Sequence, residues 1–128
     1  MGRLDGKVCI VTGAGAGIGK EITQLFAREG GKVVCASRRE ANGIPVAQEI
    51  KASGGDAIFV LCDVSSPESV MWLFQQTMMK YGRLDVLVNN AGVNFVKPFL
   101  DISIEDWDRV INTDLRGTFL CIQQAIPE

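Results

Sequence analysis

Thr12-Gly13-Ala14-Gly15-Ala16-Gly17-Ile18-Gly19 is the stretch on which the reading of this 128-residue chain turns. A short apolar run, Val8-Cys9-Ile10-Val11, precedes it. A helical pattern follows, in which Ile18, Ile22, Leu25 and Phe26 share one face and Gly30 is a stop. Two phosphate-loop spacings fail here. For G-x-x-x-x-G-K-S/T, Gly19-Lys20 fits but Ala14 and Glu21 do not. For G-x-G-x-x-G, glycine would be needed at Ile18 or at Lys20. The spacing that fits is T-G-x-x-x-G-x-G, with Gly13, Gly17 and Gly19. Its physics is the same: glycine permits a tight turn, and the backbone can approach a pyrophosphate at a helix N-terminus. The strand before it and the helix after it are the context this mechanism requires.

Outward from the loop, strand-like and helix-like stretches alternate. Apolar runs begin near Val8, Val33, Ile58 and Leu84, spaced 25, 25 and 26 residues apart. Each is short and continuous, as parallel strands covered on both faces require. Between them the period becomes helical. Val46, Ala47 and Ile50 form a second helical face, with Pro45 expected in that helix's first turn because it lacks an N–H. Ser66-Pro67 opens a third helix, with Val70, Leu73, Phe74, Thr77 and Met78 as its buried face and Gly82 as its end. Ser103 caps a fourth, with Glu105 and Asp106 in its first turn. Its expected buried face is Ile104, Trp107, Ile111, Leu115, Ile122 and Ile126, widened by Val110, Phe119 and Cys121. Alternating strands and helices predict an α/β fold with a parallel sheet and helices on both faces.

Composition narrows the chemistry. The chain is 47% hydrophobic and 22% charged, the profile of a globular domain. Its net charge of −2 argues against nucleic acid as a partner. Histidine is absent, which removes the commonest general base and the commonest metal ligand. No metal site is expected. Cys9, Cys35, Cys62 and Cys121 show no C-x-x-C spacing and read as buried thiols in a reducing compartment. The longest apolar run, Ala57 to Cys62, is far short of a membrane span, and no charged-then-apolar leader opens the chain. The expected localisation is cytoplasmic.

The second strand ends Ala36-Ser37-Arg38-Arg39. In dinucleotide folds an acidic residue near this point takes the adenosine ribose 2′-OH, and here none appears before Glu40. Arginine suits a ribose 2′-phosphate instead. Ser37, Arg38 and Arg39 therefore mark a site for NADP(H) in preference to NAD(H).

With Asp63-Val64 after strand three, Asn89-Asn90-Ala91-Gly92 after strand four, and Ile111-Asn112-Thr113-Asp114-Leu115-Arg116-Gly117, the chain resembles the first half of a short-chain dehydrogenase/reductase. The resemblance covers essentially all of residues 1–128. It implies a partial doubly wound Rossmann fold, a dinucleotide-binding domain truncated after the fourth helix. The sheet is expected as four parallel strands in order 3-2-1-4. Helices one and two lie on one face, three and four on the other. By resemblance, Asp63 holds the adenine amino group with Val64 beside the ring. Asn90, Ala91 and Gly92 line the ribose, and Ile18 touches the cofactor from the glycine loop. Asn112 is the catalytic asparagine, which helps hold a proton-relay water through a distortion of the fourth helix. The implied activity is hydride transfer between NADP(H) and a small-molecule carbonyl or alcohol, with Asn94 to Phe99 as a pocket lip.

The pattern breaks at the chemistry. The family uses a serine and a Tyr-x-x-x-Lys, and the one tyrosine here, Tyr81, has Asp85 four residues on. Tyr81 reads as a helix-end packing residue, and these 128 residues are expected to be inactive by themselves. A partial reductase, a noncatalytic dinucleotide-binding or interaction module, and an unstable product all remain open. Strand four, with Val86, Leu87 and Val88, is expected as a bare sheet edge. Together with the fourth helix it is the expected route to self-association.

Overall fold

The computed structural model describes residues 2–93 and 96–127. Asn94 and Phe95, part of the expected pocket lip, lie outside the described residues. The elements run β1 (Val8–Thr12), α1 (Gly17–Arg28), β2 (Lys32–Ser37), α2 (Glu40–Ala52), β3 (Asp56–Leu61), α3 (Pro67–Tyr81) and β4 (Val86–Val88). A single 3-10 turn at Phe99–Asp101 follows, then α4 (Ile104–Val110), a π-helical stretch (Ile111–Arg116) and α5 (Gly117–Ala125). The strands form one sheet in the order β3-β2-β1-β4, and every pairing is parallel. This is the expected doubly wound order.

Strand alternation divides the core between the two faces of the sheet. Ile10, Val34, Ala36 and Val60 pack with Val70, Leu73 and Phe74 of α3 and Cys121 of α5. Val11, Val33, Cys35 and Ala57 pack on the other face with Val46, Ala47 and Ile50 of α2, flanked by Ile22 and Phe26 of α1. Central β1 is buried at all five positions, and edge strand β4 is half-buried at all three. The four cysteines are unpaired and buried, as expected. Burial pushes the thiols of Cys9 and Cys62 up to about 11, and those of Cys35 and Cys121 to about 12.

The caps read from sequence are present. The Ser66 hydroxyl accepts from the Ser69 amide, Pro67 takes the first helical position, and Gly82 closes α3 in the left-handed conformation. Ser103 and Asp106 form a reciprocal capping box at α4.

Three sequence expectations need correction. Pro45 is not in the first turn of α2, because the helix begins at Glu40 and is already in its second turn at Pro45. Without an N–H there, the Ala41 carbonyl loses its usual helical donor. On α1, Ile18 and Leu25 do not face the core: they are 73% and 46% exposed. The inward positions are Gly19 and Thr23, where small size allows close approach to the sheet. The fourth helix is continuous in direction but changes to π spacing at Ile111. Most of its expected buried face is in solvent: Ile104, Trp107, Leu115, Phe119, Ile122 and Ile126 are all exposed. Cys121 alone of that set is fully buried.

Leu73 carries the contact of α3 with the sheet and is fully buried. Leu73→Ala should lower the free energy of unfolding by about 2–5 kcal/mol, read from urea denaturation. A loss below about 1 kcal/mol would show that α3 is not part of the cooperative unit.

Candidate functional site

A cleft of about 330 Å³ opens across the carboxyl ends of the strands. Its lining includes Thr12, Gly13, Gly15, Ser37, Arg38, Arg39, Asn42, Val64, Asn90, Ala91, Gly92 and Thr113. Carboxyl-end crevices at the point where strand order reverses are where open α/β sheets bind ligands, and β1 lies at that point here.

Of the glycine loop, Gly13, Gly15 and Ala16 line this cleft, while Gly17 borders a separate depression on α1 and Gly19 is buried against Gly13. Gly13 and Gly17 have φ of +66° and +55°, a region that L side chains rarely enter. A Cβ on Gly19 would collide with the Gly13 carbonyl and the Asn90 amide, so only glycine lets α1 begin this close to the loop. The N-cap of α1 is Ala16, which has no side-chain acceptor to offer. The Gly17, Ile18 and Gly19 amides have no acceptor among the described residues. Three free amides at the positive end of a twelve-residue helix suit an anion such as a pyrophosphate. The loop therefore fits the cofactor implied by the sequence.

At one end of the cleft, the Ser37 hydroxyl accepts from the Arg39 amide and donates to its carbonyl. That closes a tight turn, from which Arg38 and Arg39 project into solvent. Neither guanidinium has a hydrogen bond or ion pair among the described residues. At the other end, the Asn90 side-chain amide donates to the Gly13 carbonyl at 3.2 Å. Thr12, 1% exposed, sits beneath both. Its hydroxyl donates to the Val88 carbonyl and accepts from the amides of Asn90 and Ala91, each at 3.0 Å. The sequence reading used Thr12 only as a letter of the motif and missed this role. The signal was there, since a threonine closing an otherwise apolar buried strand needs a polar partner.

Not every expected residue reaches the cleft. Asp63 lies between two residues that line it, Cys62 and Val64, and its Oδ1 accepts from both the amide and the hydroxyl of Ser65. Ile18 lies on the outer face of α1, in a separate depression with Gly17, Ile22 and Leu25. Asn112 lies in the π-helical stretch, half-buried, while its neighbour Thr113 lines the cleft. The Asn112 carbonyl accepts from the Gly117 amide, five residues on, which is the π spacing. A Cβ on Gly117 would stand 2.6 Å from Val64, so that glycine lets the widened turn approach the segment after β3.

Tyr81 is at the opposite end of the sheet. Its hydroxyl donates to Asp56, the first residue of β3, and the Lys32 ammonium lies 5.9 Å from its ring centre. Burial, and then the bond to Asp56, push the phenol pKa up, the wrong direction for proton transfer near neutrality. Among the described residues, no group of three or more Cys, Asp or Glu is placed to hold a metal. No helix among them is long and apolar enough to cross a membrane.

A parallel sheet of reversed order with a glycine-rich β1–α1 turn and a carboxyl-end cleft defines a dinucleotide-binding α/β protein. The chain belongs to the short chain dehydrogenase family, whose model matches residues 7–128. It is 40% identical over 127 residues to a 3beta-hydroxysteroid dehydrogenase of Mediterraneibacter gnavus, covering 98% of this chain and 46% of that one. It is 42% identical over 125 residues to versicolorin reductase 1 of Aspergillus parasiticus, covering 96% and 47%. A solved 7 alpha-hydroxysteroid dehydrogenase, complexed with NADH and 7-oxo glycochenodeoxycholic acid, superposes with a TM-score of 0.93. It is 40% identical, with 98% of this chain and 49% of that one covered. The chain thus spans about half the length of the relatives it matches.

Removing the Thr12 hydroxyl would strand two backbone amides at the cleft. Thr12→Val should cost about 2 kcal/mol of stability in urea denaturation, and Thr12→Ser well under half of that. A larger loss in Thr12→Ser, which lacks only the methyl group, than in Thr12→Val would assign the effect to packing of that methyl instead.

Proposed function

We propose that this chain forms the cofactor-binding half of a reductase or dehydrogenase that uses NADP(H) in preference to NAD(H). The reaction would interconvert a small-molecule carbonyl and alcohol. The observation that carries the cofactor choice is the pair of unpartnered guanidiniums at the end of β2, with no carboxylate between Ser37 and Arg39. In this reading the free amides of Gly17 to Gly19 hold the pyrophosphate. Arg38 and Arg39 hold the 2′-phosphate, with Ser37 shaping the turn that presents them. Asp63 and Val64 flank the adenine, and Asn90, Ala91 and Gly92 border the ribose. The nicotinamide, when bound, supplies or accepts the hydride. Asn112 is the residue we assign to catalysis, where the π-widened backbone holds a water that relays the proton. The tyrosine and lysine that would handle that proton directly are not among these residues, and Tyr81 cannot substitute from the far end of the sheet. The reduced, buried thiols fit a cytoplasmic protein.

Fluorescence titration of NADPH and NADH tests the cofactor reading. The wild type should bind NADPH at least tenfold more tightly than NADH, and Arg38→Asp should remove most of that difference. Equal affinities in the wild type would rule out the arginine assignment.

The same reading includes self-association. Strand β4 offers an unpaired ladder along its outer edge, and Trp107 of α4, Leu115 of the π-helical stretch and Phe119 of α5 expose large apolar side chains. Light scattering after size exclusion should find dimers or larger species at micromolar concentration. Phe119→Lys, at an exposed position, should shift them toward monomer. A monomeric wild type would end this part of the proposal.

A further inference from the structure

Asn42 is the third residue of α2, and it lines the same cleft as the glycine loop and the arginine turn. Two glycines decide its place. A Cβ on Gly15 would stand 2.7 Å from the Asn42 Cβ, so the bare loop lets this turn of α2 come against it. Gly43, the next residue, is buried on the other side. A Cβ there would run into the Phe59 ring of β3 and stand 3.2 Å from the Ser37 Cβ. The amides of Asn42 and Gly43 both donate to the Arg39 carbonyl, at 3.2 and 3.1 Å. Asn42 thus touches the loop through Gly15 and is bonded to the residue that carries the second guanidinium.

All of this fixes the backbone and leaves the side chain over. The Asn42 carboxamide makes no hydrogen bond among the described residues, and the residue is exposed. Nor does the helix use it. Asparagine is a poor helix former whose usual place is the N-cap, and the N-cap of α2 is Arg39. What would lie beside it follows from the two anion positions. The amides at the start of α1 suit the pyrophosphate, and Arg38 and Arg39 suit the 2′-phosphate. The adenosine ribose joins these two groups, and Asn42 stands where the loop and the arginine turn meet.

We infer that Asn42 is a specificity-determining residue of the cleft: its side-chain N–H donates to the ribose 2′-phosphate of NADP(H), beside the guanidiniums of Arg38 and Arg39. The inference rests on the NADP(H) reading above and adds a neutral donor to it. A carboxamide can donate to a phosphate oxygen. A carboxylate of the same shape can only accept, and its charge repels the phosphate. Toward a free 2′-hydroxyl the same carboxylate is a good acceptor, so the exchange of one group reverses the preference.

The test is titration of the 128-residue chain with NADPH and with NADH, followed by cofactor fluorescence. Asn42→Ala should weaken NADPH binding by about threefold to tenfold, the size of one hydrogen bond, and leave NADH within about twofold. Asn42→Asp should weaken NADPH by about tenfold or more and leave NADH unchanged or tighter. An acidic residue in the first turn of a helix is stabilising, so the Asn42→Asp melting temperature should not fall, which separates lost binding from lost folding. Gln48→Asp adds the same charge at an exposed position of α2 outside the cleft, and should leave the ratio of the two affinities within about twofold of wild type. The inference is overturned if Asn42→Ala and Asn42→Asp keep the wild-type ratio, if both cofactors weaken equally, or if Gln48→Asp shifts the ratio as far. A wild type that binds the two cofactors equally, or binds neither, refutes the NADP(H) reading and the role of Asn42 with it. A wild type that prefers NADPH, loses that preference in Arg38→Asp and keeps it in Asn42→Asp refutes the role of Asn42 alone.

Discussion

The Thr12 hydroxyl is the interaction on which the cleft depends. One oxygen donates to the carbonyl of Val88 and accepts from the amides of Asn90 and Ala91. It therefore joins the end of the central strand to the end of its neighbour, where parallel strands run out of backbone partners. The consequences spread in both directions. Asn90, held by its backbone, can turn its side-chain amide onto the Gly13 carbonyl. Gly13 is then fixed in its left-handed conformation, and Gly19 can pack against it with no side chain between them. The free amides at the start of α1 are aimed by that contact. A cofactor loop is often described through its glycines, yet here the glycines are positioned by a threonine.

Around this centre the fold separates support from exposure. Each face of β1 has its own core, so the carboxyl edge of the sheet rests on two independent packings. The exposed groups at that edge include Arg38, Arg39, Asn42 and Gly92, with Ser37 and Asn90 partly exposed. The amino edge has a different character. There Tyr81, Asp56 and Lys32 form a local clamp of aromatic ring, carboxylate and ammonium. Chemistry that needs approach of a ligand is confined to one edge, and the single tyrosine is spent on holding the other together.

Much of this was legible in the residues, for physical reasons that also explain the failures. The strands were readable because continuous apolar runs such as Val33 to Ala36 have one stable use in a chain of this composition. The starts of α3 and α4 were readable because Ser66-Pro67 and Ser103 carry local capping chemistry that does not depend on the rest of the fold. The faces of α1 and the fourth helix were misread. Periodicity reports that Ile18 and Leu25, or Trp107 and Leu115, align, but not what they align against. Small residues such as Gly19 and Thr23 took the inward positions instead. A distortion of the fourth helix at Asn112 was implied by the resemblance, and its form is the π spacing. It accompanies a close approach of Gly117 to Val64, residues far apart in sequence.

Burial of β1 on both faces has a consequence for how the strand finds its place. In a strand with one wet side, a slip of one residue carries polar groups inside, and hydrophobicity alone forbids it. In β1 the slip would exchange Ile10 with Val11 and Cys9 with Ile10, all of them fully buried already. Apolar burial scarcely distinguishes these alignments. The choice among them passes to the polar terminus, where only one alignment brings a hydroxyl to the Val88 carbonyl and a glycine to the turn. The oily residues decide that this segment is a strand at the centre of the molecule. One oxygen atom at its tip acts as the index mark that decides where along its neighbours it stops.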